Sequence, residues 1–393
     1  MQTHTRAISS AWVRTAAAAL IGAALAGCAG MHKPTTQPLT KADDVEAFND
    51  ADAQPINPPA VNVFGELDGV ARKPGKLVGD EGFQQHTYTD EGYDADVVVD
   101  PTGKWMAFAS TRDSTHPSIY MQRVDGTAVT KLTSDDSDNA YPAFSPDGKQ
   151  IAFCSTRTGS WNIYVMDTEG RNTTTVTTGV TQCVHPSYSP DGSRLVYSAL
   201  GARSNQWEIW TVTLATGERR QIGYGLFPSW SPNKDVDRIA FQRARQRGSR
   251  WFSLWTLDLI NDEAHRVTEV AVSANAAIVS PSWSPDGKRL VFATILDPNR
   301  TKKTAATASR GEQDIWTVSA DGTDRRRITD GIGINLSPFW SSDNRVYFIS
   351  NRSGNEAVWS VRPETDHIFT AAAPKSDKGK DAVGSADTRD ADK

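Results

Sequence analysis

Residues 141–148 read Tyr141-Pro142-Ala143-Phe144-Ser145-Pro146-Asp147-Gly148, and Ile151-Ala152-Phe153 and Asn162-Ile163-Tyr164-Val165 follow before a turn at Glu169-Gly170. In Ser-Pro-Asp-Gly the proline presets the first turn position, the aspartate takes the second, and the glycine supplies the left-handed conformation that joins two strands tightly. The flanking runs are therefore a hairpin. Ile151 to Phe153 is apolar on both faces, as expected for a strand sandwiched between neighbouring sheets.

The same frame returns at Pro186 to Gly192, Pro228 to Asn233, Pro281 to Gly287 and Pro338 to Asp343, with a weaker first copy at Val98 to Gly103. The equivalent residues Asp100, Ser145, Ser189, Ser231, Ser284 and Ser341 lie 45, 44, 42, 53 and 57 residues apart. A period near 45 with about four strands per unit is that of a propeller blade. The predicted fold is all-β: a six-bladed propeller of four-stranded antiparallel blades over 83–370. Aromatic residues recur in the innermost strand (Phe144, Tyr188, Trp230, Trp283, Trp340) and in the third (Tyr120, Tyr164, Trp210, Trp255, Trp316, Trp359). At that regularity they are core between blades rather than a ligand box.

The chain has 393 residues, 42 basic against 47 acidic, for a net charge of -5, which argues against a general nucleic-acid binder. Three cysteines, Cys28, Cys154 and Cys183, exclude a disulfide scaffold and offer no Cys-x-x-Cys pair for zinc or redox chemistry. Arg6 and Arg14, an apolar run from Ala16 to Leu25, and Leu25-Ala26-Gly27-Cys28 form an export signal over 1–27. Its end resembles a bacterial lipobox, which implies that Cys28 is acylated and anchors the protein, an ordinary cleaved signal being the alternative. Ala29 is not the aspartate that retains lipoproteins at the inner membrane in enteric-type sorting, so an outer-membrane anchor facing the periplasm is expected. Prolines interrupt residues 28–82, which read as a disordered tether of roughly 40 Å span. The charged tail 371–393 reads as disordered too.

Repeats of the form Pro-x-aromatic-Ser-Pro-Asp-Gly, with Ile-Ala-Phe and Asn-Ile-Tyr after them, resemble the six-bladed propeller of the TolB family, from about Phe83 to about Thr370. Two turns depart from the pattern, Ser231-Pro232-Asn233-Lys234 and Ser341-Ser342-Asp343-Asn344. The family's α/β domain between signal and propeller has no counterpart in the short tether. The resemblance implies a non-enzymatic periplasmic protein, docking a peptidoglycan-associated lipoprotein in the Tol-Pal system of cell-envelope integrity. The alternative from another class is a propeller hydrolase or lyase, or a carbohydrate-binding protein, using the central channel.

The sequence offers little to that alternative. It has no Gly-x-Ser-x-Gly elbow, phosphate loop or His-Glu-x-x-His helix, and its histidines His86, His116, His185, His265 and His367 fall at unlike repeat positions. The acidic run Asp135-Asp136-Ser137-Asp138-Asn139 lacks the glycine and terminal glutamate of a calcium loop and reads as a solvated connection. No metal or cofactor is expected. The candidate partner-binding residues are those at the channel mouth, before each innermost-strand proline or its equivalent: Asp96, Tyr141, His185, Phe227, Ser280 and Ser337. A second set lies in two long basic connections on the same side, with Arg243, Arg245, Arg247 and Arg250 in the fourth blade and Arg300, Lys302, Lys303 and Arg310 in the fifth. The partner they suit is an acidic envelope protein, steered electrostatically to a monomeric propeller.

Two structural expectations complete the reading. Phe83 to Thr89 resembles the outer strands of other repeats, so it is expected to pair with the third strand of the sixth blade, around Val358 to Val361, and close the ring. Cys154 and Cys183 lie toward one end of adjacent blades, and either a disulfide or two buried thiols is compatible with export.

Overall fold

The computed structural model describes residues 61–62 and 82–363, apart from 90, 180, 245–251, 274–275 and 297–312. Two short strands come first, β1 (Val61–Asn62) and β2 (Phe83–Gln85). Blade 1 is β3 (Asp94–Val99), β4 (Trp105–Ser110), β5 (Ser118–Arg123) and β6 (Val129–Lys131); blade 2 is β7 (Asn139–Phe144), β8 (Gln150–Ser155), β9 (Asn162–Asp167) and β10 (Thr174–Thr175). Blade 3 is β11 (Cys183–Tyr188), β12 (Arg194–Leu200), β13 (Trp207–Thr213) and β14 (Arg219–Tyr224); blade 4 is β15 (Leu226–Trp230), β16 (Arg238–Ala244), β17 (Phe252–Ile260) and β18 (Glu263–Val272). Blade 5 is β19 (Ala276–Trp283), β20 (Arg289–Leu296), β21 (Gln313–Ser319) and β22 (Arg326–Arg327), and blade 6 is β23 (Asn335–Trp340), β24 (Val346–Ser350) and β25 (Ala357–Val361) with β2 outermost. The six-bladed antiparallel propeller read from the repeat is the fold. Among the described residues no helix is long and apolar enough to cross a membrane.

The turn chemistry works as the sequence implies. Ser145 donates its hydroxyl to Asp147 at 2.6 Å, accepts the Gln150 N–H at 3.0 Å, and its carbonyl takes the Gly148 N–H at 2.9 Å. Gly148 sits at φ +70°, where a side chain would be strained and would also press on the Pro101 ring of the preceding turn. Ser189 and Ser284 repeat the bond to Asp191 and Asp286. Burial raises the Asp191 carboxyl, but the hydroxyls of Ser189 and Ser193, the Ser193 N–H and the Arg194 charge outweigh it and bring the group down to about 2.

Between blades the core is built on apolar side chains. Ile151, Ala152, Phe153, Leu195, Val196, Leu290, Val291 and Phe292 are fully buried, which accounts for runs without alternation. The third-strand aromatics stand opposite a second-strand ring in every blade: Phe108 faces Tyr120, Phe153 faces Tyr164, Tyr197 faces Trp210, Phe241 faces Trp255, Phe292 faces Trp316 and Phe348 faces Trp359. Such cross-strand pairs hold a sheet in register.

The ring closes as expected, with Phe83 opposite Val361, Gln84 opposite Ser360 and Gln85 opposite Trp359. The agreement extends to single atoms. Thr133, Thr177 and Thr329 accept the backbone N–H of Ile119, Ile163 and Ile315 through their hydroxyls, and Thr87 does the same for Val358. Val61–Asn62, inside the expected tether, instead pair in parallel with Ala271 and Val272. β18 is long and forms the outer edge of its blade, so its unpaired backbone groups can take another strand. The remainder of the tether, the signal with Cys28, and the tail 371–393 lie outside the described residues. Cys154 and Cys183 are free, buried thiols in one core cluster.

Candidate functional site: a strained ring across the channel

The innermost strands β3, β7, β11, β15, β19 and β23 pack side by side around the axis. Each loses register with its second strand once, between Ala95 and Val98, Ala140 and Ala143, Val184 and Ser187, Leu226 and Ser229, Val279 and Ser282, and Leu336 and Phe339. Asp96, Tyr141, His185, Phe227, Ser280 and Ser337 fall within these bulges, and all six have φ between 48° and 56°. A left-handed conformation costs a side-chain-bearing residue about 1 kcal/mol or more. Five of the six also precede a proline, which favours extended backbone in the residue before it. The six predicted mouth residues are therefore one strained ring, set inside the bore rather than at its outer lip.

The ring has two unlike halves. Tyr141, His185 and Phe227, from blades 2 to 4, pack ring on ring, with centroids 3.8 Å and 3.6 Å apart. Ser280, Ser337 and Asp96, from blades 5, 6 and 1, are polar. Asp96 is the one carboxyl of the six, hydrogen-bonded by the Tyr141 N–H and the Ser337 side chain. Enclosure by protein outweighs those two bonds and raises it to about 7, although the bore leaves part of its surface accessible. His185 is pushed down to about 3 by burial, so it is a neutral imidazole, and its Nε2 is buried without a partner.

From this ring a cavity of about 480 Å³ runs along the bore toward the Ser-Pro-Asp-Gly turns. Its far rim carries Pro101, Pro146, Pro232, Pro285 and Ser342, all exposed, so it opens to solvent on the turn side. Between rim and ring lie Ser187, Ser229 and Ser282 on one side and Phe339, Val98 and Ala143 on the other.

The second predicted set is placed only in part. Arg243 is not in a loop: it belongs to β16 opposite Ser253, and its guanidinium lies 5.3 Å from the centre of the Trp255 ring. The strand outlasts the sequence estimate because β17 is long enough to keep pairing with it. Arg245, Arg247, Arg250, Arg300, Lys302, Lys303 and Arg310 lie outside the described residues, as does His367. In the acidic run, Asp135 pairs with Arg157 at 2.8 Å and Asp138 meets His116 at 2.8 Å. Among the described residues no three His, Cys, Asp or Glu side chains come together as a metal site.

One motif was missed in the sequence. Arg112, Arg157 and Arg352 each stand two residues after a serine that ends a second strand, and each donates its Nε to that serine, at 3.1, 3.0 and 3.2 Å. Their Nη2 atoms reach the first residue of the innermost strand, Asp94, Asn139 or Asn335. Each guanidinium also covers its blade's aromatic pair, Arg157 lying 4.6 Å from the Tyr164 centroid. The signal was legible as Ser-x-Arg at 110–112, 155–157 and 350–352.

Fold and bore define a six-bladed propeller with a narrowed axial channel. The model of the TolB beta propeller domain matches residues 89–258, 160–295 and 226–372, and the chain belongs to that family. A TolB homolog of Chlorobium luteolum is 30% identical over 162 residues, 40% of this chain and 32% of that protein. The Tol-Pal system protein TolB of Alcanivorax borkumensis is 29% identical over 91 residues, 23% of this chain and 18% of that one. The matches thus span a third or less of these relatives. A solved chain from Agrobacterium tumefaciens, described as a TolB candidate, superposes with a TM-score of 0.50 at 18% identity, over 70% of this chain and 91% of its own.

Proposed function

We propose that this chain is a non-enzymatic, protein-binding propeller of the bacterial periplasm, anchored by lipid on Cys28 and serving envelope integrity as the TolB component of a Tol-Pal system does. The observation that carries the reading is the divided ring. An aromatic arc beside a polar arc is the composition of a protein-recognition centre, where buried aromatic side chains supply most of the energy. Catalysis finds less support. The single imidazole of the ring is neutral and covered by Tyr141 and Phe227. Asp100 is held in its turn by Thr102, the Lys104 N–H and the Trp105 N–H. The names of the relatives point to the same system, and the partner class is an envelope protein such as a peptidoglycan-associated lipoprotein. The outer membrane is the anchoring site that Ala29 favours.

The test is capture from envelope extracts by the full chain and by a Tyr141→Ala/Phe227→Ala double variant. A partner held by the first and released by the second supports the reading. Equal capture by both would remove the ring from it.

A further inference from the structure

We propose that the turn-side cavity binds a primary ammonium group on a short apolar stem, with the Asp96 carboxylate as its counter-ion. This goes beyond protein docking on the ring, because the cavity extends from the ring toward the turns and opens among the exposed prolines.

The walls select for a donor. Ten prolines line the cavity, and a proline has no N–H, so the bore is poor in the backbone donors that an anion needs. The Ser187 and Ser282 hydroxyl oxygens already accept the backbone N–H of Trp230 and Trp340, at 3.0 and 3.3 Å. Lys234 is the one cation among the lining residues and sits exposed at the rim, away from the ring. A carboxylate or phosphate would thus meet Asp96 at the inner end with few donors to hold it.

The acid at that end is singular. Asp100, the other lining carboxylate, is satisfied within its own turn, whereas Asp96 faces the bore with two hydrogen bonds and no cation. An ammonium group would restore charge balance there. Saccharides fit less well. Sugar rings stack on open aromatic faces, but Tyr141, His185 and Phe227 pack on one another. Those side chains, with Val98, Ala143 and Phe339, suit an aliphatic stem instead. A metal ion would find one free carboxylate and too few ligands.

The experiment titrates the full chain at about pH 8.5 with butylammonium, with neutral butanol and with butyrate, followed by calorimetry or amide chemical shifts. Butylammonium is expected to bind more tightly than either. Asp96→Asn is expected to weaken it at least ~10-fold, the usual worth of a charge-assisted hydrogen bond. Ser229→Leu, which keeps the acid and fills the bore, is expected to weaken it as well, and thermal melts establish that both variants fold. Equal affinity for butanol, unchanged affinity in Asp96→Asn, or no butylammonium binding would overturn the proposal. A capped lysine peptide that competes with butylammonium supports a lysine side chain as the natural source, and failure to compete supports a free amine. Partner capture by the full chain is read separately, so either proposal can fail alone.

Discussion

Asp96→Asn keeps the shape of the side chain and removes its charge, which makes the ring's electrostatic cost measurable. In the folded chain the carboxyl is raised from 3.8 to about 7. Between those values the folded state holds a proton that the unfolded state has released, so stability falls as pH rises through that window, and the penalty stays in full above it. Three units at about 1.4 kcal/mol each give an upper bound of about 4 kcal/mol. The carboxyl is partly open to the bore, and water there offsets some of the cost, so about 2 kcal/mol is expected. Asparagine carries no such penalty. Urea unfolding of both proteins from about pH 4.5 to pH 8 tests this. The buried histidines act in the opposite sense, losing stability as pH falls below 6.5, but they are common to both proteins and cancel in the difference. The variant should gain on the wild type progressively up to about pH 7 and then hold a constant advantage. Parallel curves, or a variant weaker than wild type at pH 8, would refute the reasoning.

Other outcomes follow from named contacts. His86 gives its Nδ1–H to the Val124 carbonyl and receives the Ser360 hydroxyl proton on Nε2, because the Ser360 oxygen already accepts Arg345 Nε. Its pKa is lowered, chiefly by burial, so His86→Gln should flatten the loss of stability below about pH 6.5 seen in denaturation curves. Gly170→Ala puts a Cβ 2.5 Å from the Leu132 carbonyl at φ +79°, whereas Gly217→Ala at φ +72° meets nothing within 4 Å. Both should cost about 1 kcal/mol for the left-handed conformation, and Gly170→Ala clearly more, as melting temperatures would register. Deleting residues 83–89 should lower the melting temperature by several degrees or more, since it strips β25 of its outer partner; an unchanged transition would count against closure. Replacing Arg245, Arg247, Lys302 and Lys303 with serine should slow partner association and reduce its salt dependence, which stopped-flow binding measures.

Much of the fold was legible because its signals are local. Ser-Pro-Asp-Gly fixes the first hairpin of blades 2, 3 and 5 within eight residues, and the spacing of those turns and of their drifted copies sets the blade count. Closure was legible because Phe83 to Thr89 repeats the pattern of strands such as β6, down to the threonine at position 87. The site was half legible. The position before the innermost-strand proline picked out five ring residues, and the repeat frame added Asp96 at the equivalent place, but glycine, the usual mark of positive φ, is absent there, so nothing announced the bulges. The turn-side cavity was invisible because it depends on how far six separate strands stand from one axis. Arg243 was misplaced because pairing between β16 and β17, not composition, decides where that strand ends.

The hydrogen bond from Gln85 to Ser353 joins residues 268 positions apart, and the seam it belongs to joins the first blade-forming strand to the last. Closing a loop of that length costs roughly 3 to 4 kcal/mol more chain entropy than closing a five-residue turn, since the cost grows with the logarithm of length. The seam therefore forms last. A chain emerging from its N-terminus presents β2 long before its partner β25 exists, and until then the nascent propeller is an open stack with an unpaired backbone at its edge. Arrest anywhere before Ala357 leaves at most five complete blades, which cannot become this ring, so completeness of synthesis is itself checked by whether the circle shuts.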